Sequence, residues 1–136
     1  MLFDGRWHSE GTRVVYTASN LALAALEQLV HAGRRLWELD FAVIAIEIDE
    51  SIKVDRIDER LLPASWEDQP SHATLRRIGD AWVANGLSVG LSVPSAVIPL
   101  ESNVLLNPGH PDFANLTMSA PAAFRFDRRL FQLVHA

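Results

Sequence analysis

Glu27 is the first residue to consider for chemistry, because it is an acid in the middle of a predicted helix. The residues three and four positions away, which share its helix face, are mostly apolar: Leu23, Ala24, Val30 and His31. An ionised carboxylate is costly on such a face unless a partner or a ligand compensates its charge. Glu27 therefore either pairs with Arg34 or Arg35 at the helix rim, or lies at a cleft and holds a hydroxyl of a ligand.

Three other side chains offer complementary contacts to a ligand. Arg6, between Gly5 and Trp7, can bind an anionic group with its guanidinium while the backbone stays close, or can be a surface arginine of a frayed terminus. Tyr16, the only tyrosine, either belongs to the core or stacks on a flat heteroaromatic ring. Ser95 lacks the Gly-x-Ser-x-Gly pattern of a hydrolase nucleophile, so we expect it to orient a ligand or an acid, or to be a turn hydroxyl.

The composition excludes several other kinds of site. Without cysteine there is no disulfide, thiolate nucleophile or cysteine–zinc site, and the five histidines have no zinc-type spacing, so no metal is expected. Neither a Gly-x-Gly-x-x-Gly segment nor a P-loop is present, so a nucleotide would have to be held by other means. Asn103 and Asn107 are interpreted as strand-end and turn residues rather than as ligands.

Length and charge place the chain among ordinary globular domains. Its 136 residues suit one domain, and the net charge of −5 gives no general attraction to nucleic acid or anionic lipid. The first ten residues have no basic region followed by an apolar run, so a signal peptide is not expected there. The longest apolar run, residues 41–46, is too short to span a bilayer. The sequence therefore predicts a cytoplasmic protein.

The elements that must position the four side chains follow from the residue patterns. Residues 13–17 are a predicted strand that carries Tyr16, and residues 21–32 are a predicted helix that carries Glu27. Ser19 and Asn20 are the expected N-cap residues of this helix, and Gly33 is its expected stop. A strand with one covered face is predicted over residues 41–49.

The second half of the sequence alternates between the two types of element. A helix is predicted over residues 74–85, with Leu75, Ile78 and Trp82 at helical spacing and a stop at Gly86. A loop is expected at 61–70, and the strand predictions are a segment within 52–62, then 87–93, 96–98, 104–106 and 124–131. The fold class is therefore α+β, with mixed sheets and flanking helices.

Taken together, these residues resemble the RES-domain family, which is named for its Arg, Glu and Ser. The matching segments occur in the family's order: Gly5-Arg6-Trp7, Gly11, Val14-Val15-Tyr16-Thr17-Ala18, Leu21-Ala22-Leu23-Ala24-Ala25-Leu26-Glu27, Thr74, Ile78-Gly79-Asp80, Trp82, Val93-Pro94-Ser95-Ala96-Val97, Glu101, Asn103, Asn107-Pro108-Gly109-His110-Pro111-Asp112-Phe113 and Phe126-Asp127-Arg128-Arg129-Leu130. One such segment would be weak support, whereas the ordered series across one small domain is specific.

The resemblance implies a fold similar to that of ADP-ribosyltransferase toxins, with NAD as substrate and no further cofactor. Family members cleave NAD by hydrolysis or phosphorolysis, or transfer ADP-ribose to a protein. Carried over to this sequence, the catalytic residues would be Glu27 and Arg6, and the substrate-binding residues Arg6, Tyr16 and Ser95. The implied partner is an antitoxin with an Xre-type helix-turn-helix, without direct nucleic-acid or membrane contact by this chain, and a homodimer can form within the toxin–antitoxin complex.

One departure from the family leaves alternatives open. Family members usually carry a further strand, with another arginine and a Gly-rich turn, before the segment that matches Gly5-Arg6-Trp7. Residues 1–136 are thus expected to form one RES domain without that strand. The leading reading is a toxin that depletes NAD. The alternatives are an ADP-ribosyltransferase acting on a host protein and a truncated, inactive remnant that binds an antitoxin. The sequence does not give the acceptor, which can be water, phosphate or a protein.

Overall fold

Eight short strands and three helices form within the part of the chain that the computed structural model describes, residues 5–68 and 71–132, without the side chain of Arg34. In chain order they are β1 (Val15–Ala18), α1 (Leu21–Ala32), β2 (Phe41–Val43), β3 (Ile46–Glu47), β4 (Val54–Arg56), α2 (His72–Asn85), β5 (Gly90–Pro94), β6 (Ser102–Leu106), β7 (Thr117–Met118), β8 (Ala122–Phe124) and α3 (Arg129–Gln132). This mixture of helices and strands confirms the predicted α+β class.

The largest sheet has four strands in the order β1-β6-β5-β4. Strand β6 pairs antiparallel with both β1 and β5, whereas β4 and β5 are parallel. Because side chains alternate along a strand, Leu91, Val93 and Leu105 share one face, where they pack in one cluster with residues of α2. Val104 and Leu106 lie on the opposite face and belong to a second cluster. The sheet is therefore covered on both sides.

Helix α1 begins and ends where the sequence predicts. The Asn20 side chain caps it by accepting a hydrogen bond from Leu23 N at 2.8 Å, and Gly33 ends it with a φ of 59°. Leu23 is buried, and Glu27 lies one turn later on the same face. A second face packs against the cluster of Leu36, Phe126 and Phe131 through Ala25, Leu29 and Ala32. The helix is thus held on two sides, which fixes the direction in which Glu27 points.

Helix α2 begins two residues before the predicted segment and ends, as predicted, before Gly86, which has left-handed backbone angles. Leu75 and Trp82 are buried at helical spacing, as expected. Gly79 lies on the same side, against the backbone of Trp7: a Cβ at this position would lie 1.6 Å from the Trp7 carbonyl oxygen. Only glycine allows this approach, by which residues 5–8 rest directly on α2.

The strand predicted over residues 41–49 is wrong as one continuous element. It forms two short strands, β2 paired with β8 and β3 paired with β7, in two separate small sheets. Between them, the backbone of Ala45 bonds to both the main chain and the hydroxyl of Ser119. On the opposite side, Pro121 lies between β7 and β8 and has no N–H to donate, so one regular ladder cannot continue past it.

The strand predicted at residues 96–98 is also wrong, because this segment is the turn between β5 and β6. The Ser95 hydroxyl accepts hydrogen bonds from Val97 N and Ile98 N, each at 3.1 Å. A serine side chain that bonds to the backbone two and three residues later stabilises a turn rather than an extended chain.

The predicted strand at residues 124–131 fails for a similar local reason. Only its first residue belongs to a strand, and the chain then turns into α3. Asp127 causes the change, since its carboxylate accepts a hydrogen bond from Arg129 N at 2.8 Å. Phe126 and Phe131 are both buried in one cluster as a result.

The remaining strand predictions are confirmed with shifts of a few residues. Strand β1 corresponds to the strand predicted at 13–17, and β4 lies within the predicted segment 52–62. Strand β5 corresponds to the strand predicted at 87–93, and β6 begins two residues before the strand predicted at 104–106. The predicted loop at 61–70 consists of the end of a 3₁₀ helix followed by turns up to residue 68. Residues 69 and 70 lie outside the described part.

Candidate active site

Two side chains hold Glu27 at the junction of α1 and the four-stranded sheet. Its Oε1 accepts a hydrogen bond from Ser95 Oγ at 2.7 Å and another from Asn103 Nδ2 at 2.8 Å. Asn103 lies on β6, and Ser95 directly follows β5. Two donors that lie about seventy residues after Glu27 in the sequence therefore bind one of its carboxylate oxygens, through contacts of the charge-assisted kind.

The hydroxyl of Ser95 has all its hydrogen-bonding capacity in use. A hydroxyl has one proton and two acceptor lone pairs. Val97 N and Ile98 N occupy the acceptor side, so the single proton is directed to Glu27 Oε1. Ser95 is also fully buried. It is therefore an oriented hydrogen-bond donor to the acid and has no lone pair available to act as a nucleophile.

Tyr16 is anchored through its hydroxyl to the segment that precedes β1. Its OH accepts a hydrogen bond from Trp7 N at 3.1 Å and lies 2.6 Å from His8 Nδ1. A Cβ at Gly5 would lie 2.7 Å from that hydroxyl, so a larger residue would push the tyrosine away. The side chain of Tyr16 is nevertheless 43% exposed, so part of its ring can meet a ligand.

Arg6 lies on the same segment but does not contact Glu27. Its Nη1 donates to the carbonyl oxygens of Glu67, at 2.9 Å, and Trp66, at 3.5 Å. Among the described side chains, no carboxylate forms an ion pair with Arg6. Its positive charge is thus not neutralised within this part of the chain, and it is only partly buried.

Helix α2 fixes the position of the segment that carries Arg6 and His8. Gly79 contacts the Trp7 backbone, and the Asp80 carboxylate accepts a hydrogen bond from Ser9 N at 2.9 Å. Burial opposes ionisation of Asp80, but its hydrogen bonds to Ser9 and to the Thr12 side chain outweigh this, so its pKa lies below the ordinary value. The adjacent pair Gly79-Asp80 therefore places the residues before β1.

The sheet register relates Tyr16 to the pair that holds Glu27. Tyr16 lies opposite Leu105, and Ala18 lies opposite Asn103. Tyr16 and Asn103 are consequently diagonal neighbours on one face of the sheet, about 7–8 Å apart. The structure thus brings Glu27 and Ser95 into contact and places Tyr16 beside them. Arg6 does not contact these residues directly, but it precedes Trp7, whose backbone N–H donates a hydrogen bond to the Tyr16 hydroxyl.

The sequence also allows an ion pair between Glu27 and Arg34 or Arg35. No ion pair joins Glu27 to Arg35 among the described side chains. The side chain of Arg34 lies outside the described part. The apolar residues on the helix face of Glu27 are also not all buried, because Leu23 is buried whereas Val30 is 64% exposed.

Sequence reasoning missed two residues of the site, Asn103 and His8. Asn103 was interpreted as a strand-end or turn residue, yet it donates to Glu27 from within β6. The available signal was its spacing of two from Leu105, which places an amide on the face that packs into the core. His8 contacts the Tyr16 hydroxyl, and no signal in the sequence predicts this pair.

The electrostatic surroundings of Arg6 affect His72, the first residue of α2. Burial lowers the pKa of His72 below its ordinary value of 6.5, and the positive charges of Arg6 and Arg76 lower it further. The ring Nε2 is buried without a hydrogen-bond partner among the described residues. The positive charges of Arg6 and Arg76 thus act together at this end of α2.

The lowered pKa of His72 predicts a loss of stability at mildly acidic pH. As the pH falls through about 6.5, the unfolded chain binds a proton at His72 before the folded chain does, which favours unfolding. Urea unfolding at several pH values between about 7.5 and 5 should show this loss, and the His72→Gln variant should show a smaller one. If both proteins lose stability equally, His72 does not sense these charges.

No group of three or more His, Asp or Glu side chains in the described residues is arranged to hold a metal ion. None of the described helices is both long and apolar enough to cross a bilayer. Glu27 lines neither of two surface depressions, which have volumes of about 400 and 140 Å³. The larger is lined by Asp80, Asn107 and neighbouring residues, and the smaller by Ser92, Ser102 and others, so neither contains the four predicted side chains.

Comparison with known proteins shows the family of the chain. The RES domain matches residues 1–128 of the chain. Toxin Res of Photorhabdus laumondii is 42% identical over 112 residues, which cover 82% of this chain and 71% of the relative. Toxin Res of Yersinia enterocolitica is 38% identical over 129 residues, 94% of this chain and 84% of the relative. The Prs ADP-ribosylating toxin of a Sphingobium species is 30% identical over 130 residues, with coverage of 94% and 81%.

Proposed function

Because the chain belongs to the RES-domain family, we propose that it is a toxin that cleaves the nicotinamide–ribose bond of NAD, with water or phosphate as acceptor. The observation that supports this most strongly is the partly exposed Glu27 carboxylate, which Ser95 and Asn103 hold by one oxygen. Two of the relatives are named toxins without a stated reaction, and a third is named an ADP-ribosylating toxin, a reaction that uses the same bond.

The chemistry of the bond suits a site with a single acid. Nicotinamide in NAD is a pyridinium cation, which leaves as a neutral molecule with the electron pair of the broken C–N bond. No group has to protonate it. The ribose retains positive charge, as in the cleavage of glycosides, and a nearby carboxylate stabilises that charge. Water or phosphate then bonds to the ribose carbon, and water releases a proton to solvent.

The other residues have separate roles in this proposal. Arg6 binds the pyrophosphate, for which its unneutralised charge and the cationic surroundings of His72 are suited. Tyr16 stacks on the nicotinamide through its exposed ring. Ser95 orients Glu27, since its only proton is directed to that carboxylate. Glu27 is the catalytic residue that meets the ribose, and Arg6 completes the charge complementarity.

We extend the proposal to partners and location. An Xre-type helix-turn-helix antitoxin would neutralise the toxin, and a homodimer can form within that complex. The net charge of −5 makes direct DNA binding by this chain unfavourable, so DNA contact is assigned to the antitoxin. The substrate NAD is abundant in the cytoplasm, where we place the activity.

A second candidate function is transfer of ADP-ribose to a protein. It is favoured by one relative, the Prs ADP-ribosylating toxin, which is 30% identical over nearly the whole chain. The same site would form the same ribose cation, and only the acceptor would differ.

Incubation of the purified chain with NAD alone separates these functions. Release of nicotinamide with many turnovers, giving ADP-ribose in water or its phosphate ester in phosphate buffer, is expected for the NAD-degrading toxin. Release that requires an added cell extract, with ADP-ribose attached to a protein, would support the transferase. Intact NAD under both conditions would contradict both.

A further inference from the structure

The proposed function assigns no role to Asn103, which contacts Glu27 within the described part of the chain. Its Nδ2 donates to Glu27 Oε1 at 2.8 Å, the same oxygen that receives the Ser95 hydroxyl. The amide can face the carboxylate only through its nitrogen, since the reverse orientation would set two oxygens against each other. No described side chain donates to Glu27 Oε2. The two oxygens of the acid are therefore not equivalent.

The backbone holds Asn103 rigidly. It lies on β6 between two neighbouring strands, opposite Ala18 of β1 and Val93 of β5. The other end of its amide, Oδ1, is buried without a hydrogen-bond partner among the described residues. An unpaired buried acceptor destabilises a fold, and such departures from good packing are expected mainly at functional sites. A small apolar residue would avoid that cost but would lose the contact with Glu27.

We propose that Asn103 is a positioning residue that, together with Ser95, fixes Glu27 Oε1 and leaves Oε2 as the oxygen that meets the ribose. The proposal rests on the proposed NAD cleavage. Two donors, one within β6 and one directly after β5, restrict rotation of the carboxylate about its last bond more than one donor would. Oε2 therefore approaches the developing cation in one orientation, which places the contribution of Asn103 in kcat rather than in substrate binding.

Two variants test this role. Asn103→Ala removes the donor, and Asn103→Asp keeps the shape but replaces the donor by an acid. At neutral pH we expect kcat for NAD to fall roughly ten- to a hundredfold in both, with KM within about threefold of the wild-type value. As the pH is lowered, the introduced carboxyl of Asn103→Asp becomes protonated and can donate to Glu27. Its activity relative to wild type should then rise, while that of Asn103→Ala should not.

Asn115→Asp is a matched control, because Asn115 Nδ2 also donates to a carboxylate, that of Asp112 at 3.1 Å, on the exposed surface. It should retain wild-type kcat at every pH. A wild-type kcat in both Asn103 variants, or a purely higher KM without the acid-dependent recovery, would overturn the positioning role. If Asn103→Ala melts at a much lower temperature than wild type, the positioning role is judged from Asn103→Asp alone, by whether its activity relative to wild type rises as the pH is lowered. Failure of the wild-type chain to cleave NAD would instead refute the proposed function.

Discussion

Replacing Glu27 by glutamine should lower the rate of NAD cleavage by about two to three orders of magnitude and leave the fold intact. Both hydrogen bonds to this residue reach Oε1. The carbonyl oxygen of a glutamine can accept the same two bonds, so its NH₂ group replaces Oε2. The substitution thus removes the negative charge from the side that would meet the ribose, while the contacts with Ser95 and Asn103 remain.

Nicotinamide release at saturating NAD measures this effect, and a thermal melt of the same preparation reports the fold. Glu50→Gln is a suitable control, because Glu50 is exposed in a loop and its loss of charge changes the net charge by the same amount. Full activity of Glu27→Gln would remove Glu27 from the mechanism. A fall in melting temperature by many degrees would show that the carboxylate has a structural role instead.

Replacing Gly79 by alanine should destabilise the protein by about 2–3 kcal/mol and lower its melting temperature by roughly 6–15 °C. The added Cβ would lie 1.6 Å from the Trp7 carbonyl oxygen and 2.7 Å from its carbonyl carbon, which are backbone atoms that no side-chain rotation can move. In the middle of a helix, glycine to alanine normally stabilises by about 1 kcal/mol. The steric clash therefore predicts a loss of stability in Gly79→Ala, whereas helix propensity alone predicts a gain.

The same substitution should reduce NAD cleavage, because the displaced segment carries Arg6 and the backbone N–H that holds Tyr16. Gly109→Ala provides the comparison, since the nearest atom to its added Cβ is a side-chain oxygen 3.3 Å away. Chemical unfolding of both variants measures the difference. A Gly79→Ala protein as stable as wild type would mean that residues 5–8 do not pack on α2 as described.

The elements defined by local signals could be predicted from the sequence. Asn20 and Gly33 cap α1 through contacts with their immediate neighbours, and Gly86 ends α2 by its own backbone conformation. The strand predictions were wrong where contacts with distant residues or with side chains determine the backbone conformation. Pro121 interrupts the partner of residues 41–49, and a single hydroxyl, that of Ser95, turns the chain at 96–98. Periodicity carries no information on either contact.

For the candidate site, too, one part could be predicted from the sequence and another part could not. The resemblance to a family supplied Glu27, Arg6, Tyr16 and Ser95 as residue types in order, but not which of them touch. The bond between Ser95 and Glu27 depends on where α1 meets the ends of β5 and β6. Asn103 was missed because its contact with Glu27 depends on the sheet register, which places it opposite Ala18 and Val93, and on the packing of α1.

Intracellular NAD after induced expression tests the central claim most directly. Cells that express the wild-type chain without an antitoxin should lose most of their NAD before growth stops, whereas cells that express Glu27→Gln at the same level should keep it. An unchanged NAD pool in cells that are arrested by the wild-type chain would contradict the account. Equal depletion by the two proteins would contradict it as well.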